Sequence, residues 1–371
     1  MQSNNKKKIC IVVSSLGKGG AEKSAATISN MLFNLGHEIY MVSIQDFVDY
    51  SYSGRLLNLG KLKKKNDNLF GRINRLLVFK KFLKEHDFDL VIDNRSRVQA
   101  YRELIVSKFL YKAKAIYMVH NYNESKAFTK YKWLNNYLYK NRQLVTVSKA
   151  SKSNLEKKYK FKKITCIYNG FNFKEIEEKA ALNDAEQQFL EKYILYFGRI
   201  DDYQKNLKLL LLGYKKSELP NKDVKLVIMG DGADYDEVVN YSKKIDIENH
   251  IIFKRFESNP FPYVKNAYFT VLTSRFEGFP MVIPESLSLG TPVVSVDCKS
   301  GPSEVIINRY NGLLVENFDE MALANAFNLM VNKPEVYETC KKNAKASVKQ
   351  FSIEKITEQW RQLINEYDYI K

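Results

Sequence analysis

What most constrains this chain is an alternation that runs, stops and starts again. Residues 9–13 are an unbroken apolar run, the pattern of a strand buried on both faces of a parallel sheet. Residues 14–20 (SSLGKGG) read as a glycine-rich turn. Residues 21–35 then space Ala25, Ile28, Met31, Leu32 and Leu35 as a helix does, with Gly36 to close it. Residues 38–44 return as a strand, which completes one βαβ unit. Further strands are predicted at 90–92, 115–119, 144–147 and 164–168, with helical stretches between them. Residues 174–192 are acidic and helical in character, and read as a connection. The alternation restarts at 193–197, 224–229, 251–253, 269–273 and 292–296. Two such arrays predict the α/β class, with two doubly wound, Rossmann-like parallel sheets. The predicted domains are 1–175 and 190–350. An amphipathic helix within 351–371, built on Ile356, Trp360, Leu363 and Ile364, is expected to cross back to the first domain.

Composition narrows the classes. Of 371 residues 45% are hydrophobic, enough for two packed cores, which excludes a disordered chain. The formal charge of +17 is lopsided: residues 1–170 hold 33 basic and 12 acidic side chains, the rest 26 and 30. A basic half faces an anionic partner or simply wears a lysine-rich surface. Residues 61–84 mix lysines and arginines with Leu69, Phe70, Ile73, Leu76, Leu77, Phe79, Phe82 and Leu83. Such a helix either lies in an anionic membrane interface or packs its apolar stripe on the sheet. Cys10, Cys166, Cys298 and Cys340 form no CxxC pair and are expected to be reduced, in a cytoplasmic protein. With no apolar run of spanning length, any membrane contact is expected to be peripheral.

Open parallel sheets bind ligands beyond the carboxyl ends of their strands, and two facing sheets would enclose a cleft there. Gly17-Lys18-Gly19-Gly20, leading into a helix, is a candidate anion cradle; alone it is equally a plain strand-to-helix turn. The more specific signal is Arg275-Phe276-Glu277-Gly278-Phe279-Pro280-Met281-Val282-Ile283-Pro284-Glu285, after the strand at 269–273. With Glu277 on a loop and a helix starting near Met281, both carboxylates reach one elongated ligand. They would accept hydrogen bonds from the hydroxyls of a hexose at one end and of a ribose at the other. Gly278 is expected to take an unusual backbone angle.

The segment from Glu277 to Val294 closely resembles the E-x7-E signature of the family-four retaining glycosyltransferases, of GT-B type. Gly17 to Glu22, Val147-Ser148, Tyr168 to Asn172, Phe197-Gly198-Arg199, Lys205-Asn206 and Met229 to Gly232 resemble further landmarks of that family. Asn169-Gly170-Phe171-Asn172 departs from its frequent Asn-Gly-Val-Asp. The resemblance implies that Arg199 and Lys205 neutralise the donor diphosphate, Glu277 holds the donor sugar and Glu285 the ribose. It places the segment Gly278, Phe279, Pro280, Met281 and Val282 around the phosphates, with backbone N–H groups of that stretch supporting them. It puts His120 in the sugar pocket, Gly19 and Gly20 near the phosphate, and base recognition at Arg255 and Phe256. It favours front-face attack with retention, a UDP-sugar donor, no required cofactor or metal, and a glycan or lipid-pyrophosphate-linked acceptor of a bacterial surface polysaccharide. Other readings stay open: a glycosidase from the carboxylate pair, a sugar-nucleotide epimerase or sucrose-type synthase, a non-catalytic binding protein. A nucleic-acid-binding module on the basic half would leave the carboxylates of the second domain unexplained, so no nucleic acid is expected.

Overall fold

A computed structural model describes residues 6–17, 19–64, 67–182 and 192–368. Lys18 of the glycine turn, Lys65 of the basic segment, 183–191 of the acidic connection and 369–371 lie outside the described residues.

The chain divides into two compact units, 1–170 with 353–371, and 171–352. In the first, seven strands form one parallel sheet: β1 (Lys8–Val13), β2 (Glu38–Ser43), β3 (Arg55–Asn58), β4 (Leu90–Asp93), β5 (Lys114–Val119), β6 (Gln143–Thr146) and β7 (Lys163–Cys166). Their order is β3-β2-β1-β4-β5-β6-β7. The helices are α1 (Gly20–Asn34), α2 (Leu69–His86), α3 (Ala100–Ile105), α4 (Lys132–Tyr139) and α5 (Lys149–Lys158), with a π-helical turn, Val106–Leu110, after α3. Gly36 closes α1 at φ 92°, a left-handed angle that costs a residue with a Cβ. Asn68 opens α2 by accepting the Gly71 N–H.

The second unit holds β8 (Tyr193–Phe197), β9 (Lys225–Met229), β10 (Ile251–Lys254), β11 (Thr270–Leu272), β12 (Val293–Val296) and β13 (Gly312–Val315), in the order β10-β9-β8-β11-β12-β13. Its helices are α6 (Phe173–Ala180), α7 (Asp202–Lys205), α8 (Leu207–Lys216), α9 (Tyr235–Lys244), α10 (Phe261–Asn266), α11 (Val282–Ser288), α12 (Pro302–Val305), α13 (Glu320–Asn332) and α14 (Pro334–Ser347). The last helix, α15 (Ile353–Asp368), buries Ile356, Trp360, Leu363 and Ile364 in the first unit. Gly170 sits within 3.5 Å of Ile356 and Met31 once a Cβ is imagined on it.

Two sequence expectations change. The chain leaves the first unit after Gly170 rather than near 175, and α6 is no free connection: Ile176 and Ala180 are buried inside the second unit. The strands β3 and β13 were not legible. The edge strand β3 is four half-exposed residues without an apolar run, and β13 opens on a glycine that reads as a turn.

In both sheets the strand order reverses once, between β1 and β4 and between β8 and β11. Ligands of open α/β sheets settle outside the carboxyl ends of the strands at such switch points. Sequence and topology thus direct attention to the residues that follow Val13, Asp93, Phe197 and Leu272.

Candidate active site

At the second unit's switch point, β8 runs into Gly198-Arg199 and β9 into Gly230. A Cβ on Gly230 would lie 1.8 Å from the Gly198 carbonyl oxygen, at φ 148°, so only glycine lets the two strand ends meet. Arg199 is exposed; its Nη2 donates to Gln204 Oε1 at 3.2 Å and its Nε lies 3.8 Å from Asp201. Asp201 caps α7 by accepting the Gln204 N–H at 3.1 Å, which fixes the turn that ends in Lys205. Lys205 Nζ donates to Glu277 Oε1 at 2.6 Å, with the two side chains 16% and 8% exposed. The Ser274 hydroxyl donates to the same oxygen at 2.7 Å, and Gln204 Nε2 approaches the other at 3.5 Å. Backbone bonds hold this arrangement: Arg275 N–H to the Gln204 carbonyl at 2.8 Å, and Glu277 N–H to the Lys299 carbonyl at 3.2 Å. Arg199, Lys205 and Glu277 therefore form one cluster around Gln204.

Downstream, Met281 is the N-cap of α11, whose first turn has no side-chain cap and carries the buried Glu285. The unusual backbone angle expected at Gly278 falls elsewhere. Ser300 (φ 75°) and Gly301 (φ 113°) adopt it, and a Cβ on Gly301 would strike Pro280 Cδ at 2.2 Å. Gly278 instead offers its carbonyl to the Ser300 hydroxyl at 2.8 Å. The segment from Gly278 through Phe279, Pro280, Met281 and Val282 is thus shaped by the 300–301 turn pressing on it. Arg255 and Phe256 follow β10; the Arg255 guanidinium lies 3.7 Å from the Tyr235 ring centre and donates to Asp231 at 3.2 Å, and the Phe256 N–H donates to the same carboxylate at 3.1 Å.

In the first unit, His120 directly follows β5, half-buried, with Nε2 2.5 Å from Asn94 Oδ1. Asn94 in turn donates from Nδ2 to the Ala21 carbonyl at 3.0 Å, which orients its amide. His120 must then carry its proton on Nε2 and leave Nδ1 as an acceptor. Burial, with Arg97 nearby, pushes its pKa down to about 3, so the ring is neutral at pH 7. Arg97 is fully buried. It donates to the Arg95 and Met118 carbonyls at 2.8 and 2.6 Å and lies over the rings of Phe128, Tyr117 and Tyr139. Beside it, Arg95 grips Asp93 through two bonds of 2.9 and 2.7 Å. Burial would raise the Asp93 carboxyl, but the Arg95 guanidinium outweighs it and holds the group below the usual range; for Glu103, 3.4 Å from Arg95, burial wins and the group is raised. Gly19 caps α1 and its N–H donates to the Tyr50 hydroxyl at 3.3 Å. A Cβ there would meet the Glu22 carboxylate at 2.3 Å, so that carboxylate folds over Gly19 and the helix start at Gly20. An anion arriving there would have to displace it.

Two sequence models divide the chain between them: "Glycosyltransferase Family 4" matches residues 18–175 and "Glycosyl transferases group 1" matches 178–347. The chain belongs to this glycosyltransferase family. Over its length it is 29% identical to the N-acetylgalactosamine-N,N'-diacetylbacillosaminyl-diphospho-undecaprenol 4-alpha-N-acetylgalactosaminyltransferase of Campylobacter jejuni, covering 94% of this chain and 97% of that one. It is 33% identical to the lipopolysaccharide 1,6-galactosyltransferase of Escherichia coli, over 40% of this chain and 42% of that one. The structure of Anabaena HepE in complex with UDP and glucose superposes with a TM-score of 0.78 at 19% identity, over 97% of this chain and all of that one. The fold is the two-domain, Rossmann-like GT-B type.

For this family member, sequence reasoning missed Gln204 and Ser274, which hold the ion pair, and Asn94, which holds His120. A signal for Asn94 was present: Asn94-Arg95-Ser96-Arg97 directly follows the strand Leu90–Asp93, at the end where this fold binds ligands.

Proposed function

We propose that this glycosyltransferase moves a hexose or N-acetylhexosamine from a UDP-sugar, with retained anomeric configuration, to a glycan or lipid-diphosphate-linked acceptor in bacterial surface polysaccharide synthesis. The carrying observation is the Lys205–Glu277 ion pair beside Arg199 at the β8/β11 switch point. A diphosphate entering there recruits Lys205 and Arg199, whose charge lowers the cost of its departure as a leaving group. Glu277, released from Lys205, accepts hydrogen bonds from donor-sugar hydroxyls. Glu285 takes the ribose hydroxyls, the N–H groups from Phe279 to Val282 take the phosphates, and Arg255-Phe256 borders the base. Neutral His120 offers Nδ1 to a sugar hydroxyl, and Gly19-Gly20 admit the phosphate once Glu22 swings aside.

In the transfer, the bond from the anomeric carbon to the phosphate oxygen breaks with both electrons leaving on UDP. The acceptor oxygen bonds to the same face of that carbon, and its proton goes to the departing phosphate. Support for this reading comes from the α-linkage that the Campylobacter relative is named for, and from the UDP and glucose bound in the Anabaena structure. The cationic pair performs the charge neutralisation often left to a metal, so transfer should survive chelation by EDTA. The proposed place of action is the cytoplasm, peripheral at the inner membrane.

The test is thermal unfolding with UDP, GDP, ADP and dTDP for the wild type, Arg199→Ala and Glu285→Ala. A nucleotide at 100 times its dissociation constant adds about 2.7 kcal/mol of stability. A shift with UDP alone, absent in both variants, is expected. A shift with none of the four overturns the reading.

A further inference from the structure

The second unit carries a cavity of about 510 Å³ at the end of its sheet opposite to the candidate active site. Tyr193, which opens β8, lines it, together with Tyr268, which leads into β11, and Thr291, which leads into β12. Arg199, Lys205 and Glu277 follow the other ends of β8 and β11. The five residues of β8 alone span about 13 Å, so the two places are distinct.

Five lysines line this cavity, Lys192, Lys265, Lys341, Lys342 and Lys345, and no aspartate or glutamate does. They are not the overflow of a basic chain. The excess of positive charge lies in residues 1–170, and the remainder holds 26 basic side chains against 30 acidic ones. Two of the five have a reason within the fold. Lys265 and Lys345 stand in the last turns of α10 and α14, where a cation suits the helix dipole, and Lys345 Nζ lies 2.7 Å from Glu177. The other three have no such reason. Among the described residues no carboxylate pairs with Lys192, Lys341 or Lys342. Lys192 and Lys341 instead stand 6.0 and 5.4 Å from the ring centres of Tyr268 and Tyr337. Those two rings stack with their centres 4.1 Å apart and form a stiff wall beside the charges. Lys341 and Lys345 are also one helical turn apart, a spacing at which like charges destabilise a helix. Ammonium groups gathered in this way repel one another until an anion sits among them.

The chemistry of the lining selects that anion. A cavity of this volume takes a small molecule rather than a segment of another chain. Lysine meets phosphate as a compact point charge, whereas the flat fork that recognises a carboxylate belongs to arginine, and no arginine lines the cavity. We propose that this cavity is a second anion site, separate from the donor site, which binds an oligophosphate. The oligophosphate is a free polyphosphate chain or the tail of a nucleoside triphosphate. Binding there does not rest on the glycosyltransferase reading.

The experiment is calorimetric titration of the full chain with tripolyphosphate, ATP and orthophosphate. It compares wild type, Lys265→Gln/Lys341→Gln/Lys342→Gln and Arg199→Ala. Wild type should bind tripolyphosphate, less tightly as salt is added, and bind orthophosphate far more weakly. Each exposed ion pair is worth up to about fivefold in binding, so the triple variant should bind tripolyphosphate at least about tenfold more weakly. Its UDP-induced thermal shift should be unchanged, and Arg199→Ala should bind tripolyphosphate as wild type does. Relief of repulsion predicts that the triple variant without anion melts no lower than wild type; a clear fall would give the lysines to the fold and overturn the proposal. ATP binding more tightly than tripolyphosphate supports the site and assigns it to a nucleotide; the reverse supports it and assigns a free chain. No binding by wild type, a triple variant that binds as wild type does, or orthophosphate held as tightly as tripolyphosphate overturns it. So does loss of binding in Arg199→Ala alone, which would give the anion to the donor site. Lysine-dependent tripolyphosphate binding without any nucleoside diphosphate shift would sink the proposed function and leave this site standing.

Discussion

Replacing Lys205 with methionine keeps most of the side-chain volume and removes the charge. Glu277, 8% exposed, then keeps only the Ser274 hydroxyl at 2.7 Å and the Gln204 amide at 3.5 Å. Removing one partner of a buried pair costs about 3–5 kcal/mol, and the two surviving donors place this case near 3. Glu277→Gln strands an ammonium that is 16% exposed, and a lysine's long stem reaches water more easily, so about 2 kcal/mol is expected. The double variant leaves no unpaired charge and should lose about 2 kcal/mol, which makes the coupling about 3 kcal/mol. Urea unfolding followed by circular dichroism measures it, read on the transition that the variants move. A coupling below about 0.5 kcal/mol, the scatter of independent sites, would show that the pair is not the linked unit described here.

Three further predictions follow from the same geometry. Because the folded pKa of His120 lies near 3 against about 6.5 unfolded, its contribution to stability is complete above pH 6.5 and is lost as pH falls toward 3. Wild type should thus lose up to about 1.4 kcal/mol per pH unit more than His120→Asn across that window, and parallel stability profiles would refute it. Asn94→Asp puts a carboxylate 2.5 Å from Nε2, so the His120 titration seen by NMR should move up by at least about one unit; an unchanged value would mean that Asn94 does not hold the ring. Gly230→Ala drives a methyl into the Gly198 carbonyl and should cost about 3 kcal/mol, whereas Gly36→Ala, with open space but φ 92°, should cost about 1 kcal/mol in the same thermal melts.

The central strands were legible because burial on both faces demands unbroken apolar runs, as in β1 and β8, which are buried along nearly their whole length. β3 is four half-exposed residues and β13 opens on a glycine, so neither presents such a run. The cluster of the second unit could be read because Arg199 and Lys205 follow β8 and Glu277 follows β11, each in a recognisable segment. What linear spacing could not convey is who holds whom. Gln204, between Arg199 and Glu277, and Asn94, between Ala21 and His120, act across 73 and 26 positions of chain. Nor could it reveal that Gly301, not Gly278, supplies the left-handed turn: the constraint comes from Pro280, which only the fold brings near. The apolar residues of α2 were all visible, but that Leu76, Phe79, Phe82 and Leu83 are the ones packed in the first unit's core needed the sheet.

The most direct test of the account is the anomeric configuration of the product. The chain should be given α-linked UDP-hexoses and UDP-N-acetylhexosamines with a lipid-diphosphate-linked acceptor, and the new glycosidic bond read by proton NMR. Release of UDP with an α-linked product is the predicted result. A β-linked product, or no transfer from any UDP-sugar, would contradict it.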